Sequence, residues 1–187
     1  MLHRNTLSRA SSWIGIFVLG AVFVSCTDPV RDAQISRLGE EPGDVPMGPL
    51  HRPGQPCVVC HSDGGPASKA KFAVAGTIFE SNAPDANGAA DIRVLFIDAS
   101  SAQREVTTNE AGNFFIADSE WPDLTYPFKV GIVNGNQPIQ MRSTINREPS
   151  CNFCHKPNPG SPHALPTDDT RASIGQIYVA AQTTGTK

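Results

Sequence analysis

The chain has 187 residues, 39% of them hydrophobic, and 18 acidic against 15 basic side chains, for a net charge of −3. That length suits one domain with extensions. With no basic stripe and only 7% aromatic residues, nucleic acid is excluded as an expected partner. The N-terminus carries His3, Arg4 and Arg9, then an apolar run of twelve residues from Trp13 to Val24. A membrane-spanning helix needs about 20 apolar residues, whereas the apolar region of a secretory signal has about 7–15. The expectation is an export signal over residues 1–25, with a short uncleaved anchor as the alternative.

The run ends at Phe23, Val24, Ser25 and Cys26. This resembles the lipobox of bacterial lipoproteins, which implies lipidation at Cys26 and attachment to a membrane. Phe23 stands where that box usually has Leu. Ordinary cleavage nearby would instead leave Cys26 as a stray thiol, which is awkward in an oxidising compartment. Cleavage before Cys26 removes Arg4 and Arg9, leaving 13 basic and 18 acidic residues and a charge of −5. Residues 26–56 are rich in Pro and Gly, including Pro42, Pro46, Pro49, Pro53 and Pro56. Such composition predicts an extended tether that holds whatever follows away from the bilayer.

A short segment, 57–71, opens with Cys57-Val58-Val59-Cys60-His61. Residues 72–145 then read as strands. Runs at 72–79, 92–97, 104–108, 113–116, 128–133 and 139–145 are rich in β-formers and separated by turn residues. Ile92, Val94 and Phe96 share one face, and Asn134-Gly135 between two runs signals a hairpin. The expected fold is mainly β: a small β-sandwich flanked by loop-rich segments, with no long helix apart from the signal peptide. Residues 72–134 contain Thr108, Gly112 and Phe114 in a Thr-x-x-x-Gly-x-Phe turn before a strand. This resembles the carboxypeptidase regulatory-like domain, a transthyretin-type β-sandwich. The resemblance implies a fold and no catalysis.

Loop composition returns over 146–171, around Cys151-Asn152-Phe153-Cys154-His155, and residues 172–187 are expected to give a closing strand and a tail. The two Cys-x-x-Cys-His motifs therefore flank the sandwich.

Cys-x-x-Cys-His is the signature of c-type haem attachment. The two thiols form thioethers to the porphyrin vinyl groups, and the adjoining His binds iron beneath the ring. The expectation is two haem c groups, bonded through Cys57, Cys60, Cys151 and Cys154, with His61 and His155 as proximal iron ligands. A four-cysteine zinc site would leave both histidines unexplained and would need an unusually long gap between pairs. A thioredoxin-like disulfide would need a βαβ pattern that the sequence lacks.

Loss of His3 leaves His51, His61, His155 and His163. Two bis-His haems need four histidines, so His51 and His163 are the candidate distal ligands. His51 is expected on the first haem and His163 on the second, with a crossed pairing as the alternative; either can reach across a ring at about 3.3–3.6 Å per residue. Met47 and Met141 are the rival ligands, with Met141 expected in core packing. Asp168, Asp169, Glu40 and Glu41 read as solvated loop charges.

The expected function is an electron carrier, not an enzyme. It would be exported and lipid-anchored in the bacterial envelope, on a periplasmic, outer-membrane or cell-surface face. Its partners would be other envelope redox proteins, and self-assembly is open. Two alternatives stand. One is a sandwich that binds polysaccharide or an envelope protein, with haems as structural staples. The other is a haem sensor or peroxidase with one open iron.

Overall fold

The computed structural model describes residues 28–40, 47–134, 137–165 and 173–179. Cys26, the export signal and Asp168–Asp169 lie outside the described residues. The chain forms α1 (Pro29–Leu38), α2 (Cys57–Cys60), β1 (Phe72–Thr77), β2 (Arg93–Ile97), β3 (Gln103–Thr107), β4 (Asn113–Ala117), β5 (Lys129–Asn134), β6 (Gln137–Gln140) and α3 (Cys151–Cys154). The fold is mainly β, as the alternating runs predict. An antiparallel sheet of order β3-β2-β5-β6 faces the antiparallel pair β1-β4.

The core lies between these layers. Val94 and Phe96 on β2 point inward and Arg93 points out, as period-two alternation requires. Phe96 meets Phe114, Trp121 and Phe128 at ring-centroid distances of 6.1, 6.0 and 6.3 Å. Each such side chain contributes roughly 1.5–3 kcal/mol on burial. On the outer edge, Arg93 and Glu105 pair through two 2.7 Å hydrogen bonds between β2 and β3.

The Thr-x-x-x-Gly-x-Phe turn has a physical basis here. The Thr108 hydroxyl donates to Ala89 O at 2.6 Å and accepts from Ile92 N at 2.9 Å. Asn109 Oδ1 accepts from Ala111 N and Asn113 N. Gly112 takes φ +72°, and a Cβ there would lie 2.1 Å from Ile78 O. Phe114 then enters the core, 2% exposed.

Two expectations need correction. Residues 29–38, read as extended tether, form a helix. Asp28 Oδ1 accepts from Val30 N and Arg31 N, and Pro29 occupies the first turn, where its missing N–H costs nothing. Arg52 closes the other end, donating to Leu38 O at 2.9 Å and Gly39 O at 2.8 Å. The predicted closing strand is also absent as a strand among the described residues. Residues 173–179 run extended and join the sandwich by one parallel bridge, Tyr178 to Phe79.

β1 is the hinge of the architecture. Its residues 73–77 are all buried, because one side faces the core and the other receives α2 and α3. The small side chains of Ala73, Ala75 and Gly76 make that double packing possible.

Candidate functional site

Both Cys-x-x-Cys-His motifs fold the same way, although they lie some ninety residues apart in sequence. Each forms a single helical turn. His61 N donates to Cys57 O at 3.0 Å, and His155 N donates to Cys151 O at 2.9 Å. The histidines that end these turns have φ/ψ of −93°/49° and −94°/63°. One turn of helix brings the two cysteines of each motif to one side, three residues apart.

Each histidine is also oriented from behind. His61 Nδ1–H donates to Ala70 O at 2.6 Å, and His155 Nδ1–H donates to Gly175 O at 2.9 Å. His51 Nδ1 lies against both the carbonyl and the amide of Gly48. At His61 and His155 the carbonyl partner makes Nδ1 the donor and leaves Nε2 as the free lone pair, the arrangement usual for metal-binding histidine. Burial holds the His61 and His155 imidazoles below their usual pKa, against an opposing pull from the Ala70 and Gly175 carbonyls. Both are therefore neutral, and able to ligate, at pH 7.

The first motif opens on a cavity of about 710 Å³, lined mostly by apolar side chains. Cys57, Cys60 and His61 form part of its wall, Ile35 and Leu38 come from α1, and Phe72 and Phe115 come from β1 and β4. His61 stacks on Phe72 at 4.1 Å, and Phe72 stacks on Phe115 at 4.6 Å. His51 lines the same cavity, its ring centroid 5.9 Å from that of His61. The structure thus brings His51 to His61. Met47 also lines this cavity but is 87% exposed.

Polar bonds that the sequence did not signal hold His51 there. Asn113 Nδ2 donates to His51 O at 3.0 Å and Pro49 O at 3.2 Å. Thr77 Oγ1 donates to Asn113 Oδ1 and accepts from Gly54 N, both at 2.8 Å.

The second motif opens on a cavity of about 620 Å³. Cys151, Cys154 and His155 line it, with Ile78, Val94 and Ile132 from the sandwich and Ile177 and Tyr178 from the C-terminal run. His163 is not among its lining residues. It packs instead on Phe79, ring centroids 5.7 Å apart, so the expected pairing with His155 is not assembled. Burial keeps the His163 pKa low. Met141, expected in core packing, lines this cavity instead. The strand run ends before it, at Gln140, and Met141 N donates to Val130 O at 3.0 Å.

The residues present fit a porphyrin at both places. Each cavity has a volume suited to a bound cofactor, about 300–1,000 Å³, and each carries a thiol pair and an oriented imidazole. The Ser150 hydroxyl, at the entrance to α3, is 1% exposed, lines the second cavity and has no partner. A buried hydroxyl left so costs about 1–3 kcal/mol, which a polar group of a ligand would recover.

The competing chemistries fit less well. Among the described residues no three His, Cys, Asp or Glu side chains are placed to share one ion, so a four-cysteine zinc site is not assembled. No disulfide joins Cys57, Cys60, Cys151 and Cys154 to one another. Burial pushes the Cys57 thiol up to about 11 and the Cys151 thiol up to about 12, the reverse of what a redox-active dithiol needs. Comparison with family models, curated proteins and solved structures finds no match to this chain.

Proposed function

We propose that the protein is an envelope electron carrier holding two covalently attached haem c groups. Cys57 and Cys60 would carry the first through thioethers and Cys151 and Cys154 the second, with His61 and His155 as proximal iron ligands. The observation that carries this reading is the repetition of one local structure. Two distant Cys-x-x-Cys-His segments form the same helical turn, each with its histidine Nδ1 tied to a backbone carbonyl and each beside an apolar cavity.

Haem bound at these places would supply a one-electron couple whose potential follows its axial ligands and its burial. The chain's own residues do the rest. Ala70 and Gly175 hold the imidazoles in the ligating tautomer. Phe72 and Phe115 support the His61 ring by stacking. Asn113 and Thr77 hold the His51 loop, and His51 would be the distal ligand of the first site. At the second site the cavity favours Met141 over His163.

In this reading Cys26 carries the lipid, and the partners are other redox proteins of the envelope. The likeness to the carboxypeptidase regulatory-like domain concerns the scaffold and adds no activity.

Visible spectroscopy of the matured protein tests the proposal. Both irons should be low-spin when oxidised and when reduced, and carbon monoxide should leave the reduced spectrum unchanged. Uptake of carbon monoxide at either site would mean an open iron and would favour a sensor or peroxidase.

A further inference from the structure

We infer that Gly76 and Phe114 set the spacing of the two sites so that they behave as one interacting redox pair, an inference that rests on the haem reading above. Phe114 lines both cavities and is itself 2% exposed, so it forms a common, dry wall. Gly76 on β1 is the register partner of Phe114 on β4. A methyl group at Gly76 would stand 2.6 Å from Phe114 Cζ and 2.8 Å from Cys151 Cβ. Glycine at this position is therefore what lets the Phe114 ring and the second cysteine turn close onto the same point of β1.

The rest of the packing agrees. Both cysteine turns rest on β1, and Ala75, the neighbour of Gly76, bridges to Ser150 at the entrance to the second turn. Interaction between charges is strong when a buried, low-dielectric wall separates them. An electron stored on one side of Phe114 changes the charge there by one unit, and the other side must respond. Exchange across the wall is balanced by that same electron: one centre is oxidised as the other is reduced, and no bond or proton changes place.

The test compares reductive titrations of the matured protein with those of two single-haem variants, Cys57→Ala/Cys60→Ala and Cys151→Ala/Cys154→Ala, followed by absorbance. The expected wild-type curve is broader than the sum of the two variant curves, because the second electron enters at a lower potential than either site shows alone. A wild-type curve that equals the sum overturns the inference. Gly76→Ala should narrow the excess breadth while intact mass still shows both haems attached. Unchanged breadth with both haems attached would remove the role of Gly76. If that variant does not fold, the wild-type comparison decides. A wild-type mass lacking tetrapyrrole would instead sink the haem reading beneath it.

Discussion

Replacing Thr77 by Val tests whether the polar bridge from the sandwich positions the first site. The two side chains have nearly the same shape, so packing is largely preserved. Thr77 is fully buried, and its hydroxyl both donates to Asn113 Oδ1 and accepts from Gly54 N at 2.8 Å. Valine leaves both of those groups without their partner. At about 1–3 kcal/mol for each orphaned buried group, the loss is about 2–6 kcal/mol, a large part of the roughly 5–15 kcal/mol that stabilises a domain. With a urea slope of about 1–3 kcal/mol per M, the unfolding midpoint should fall by about 1 M or more. Because Asn113 in turn holds the His51 carbonyl at 3.0 Å, the first site should also lose its low-spin character before the second does. Thr77→Ser should restore most of both properties. A Thr77→Val protein within about 0.5 kcal/mol of wild type, with an unaltered spectrum, would refute the reasoning, since ordinary surface changes fall in that range.

Four further outcomes follow from the same geometry. His51→Ala should open the first iron, giving a high-spin component that binds carbon monoxide while the second site is unaffected. Met141→Leu should change the second-site spectrum and lower its potential, whereas His163→Leu should leave both unchanged; the opposite pair of results would restore His163 as ligand. Gly112→Ala, at φ +72° and 2.1 Å from Ile78 O, should prevent stable folding, read as loss of the cooperative unfolding transition. Asp98 has its pKa lowered, first by the Ser100 hydroxyl and then by the amides of Thr125, Ala102 and Ser100. A depressed folded value contributes stability that is present above the unfolded value, near 3.8, and lost as pH falls through the folded value. Unfolding of Asp98→Asn followed from pH 6 down to about pH 2 should therefore show a shallower acid dependence than wild type.

Much of the sandwich was legible because its strands are short runs of β-formers set off by turn residues, and β2 alternates cleanly between buried and exposed. Ile92, Val94 and Phe96 announce β2, and the Asn134-Gly135 pair announces the β5–β6 hairpin. The cysteine turns were legible because their chemistry demands a fixed local spacing. The helix over 29–38 was missed although its start was written in the sequence: Asp28 before Pro29 is an N-cap followed by a first-turn proline. The surrounding Pro and Gly residues obscured that signal. The candidate distal ligands were only half legible. His51 is brought to His61 by Asn113 and Thr77, which lie 62 and 26 residues further along, and no local pattern announces such contacts. His163 and Met141 were ranked by residue type and supply, yet the path of the chain after β6 decides which of them faces the second cavity. The shared wall at Phe114 depends on strand register, which brings Gly76 opposite it.

The central claim is tested most directly by the intact mass of the protein after denaturation, produced in a host able to mature c-type cytochromes. The account predicts a polypeptide heavier by two tetrapyrroles, falling to one when Cys151 and Cys154 are replaced by Ala. A denatured chain at its bare polypeptide mass would contradict it.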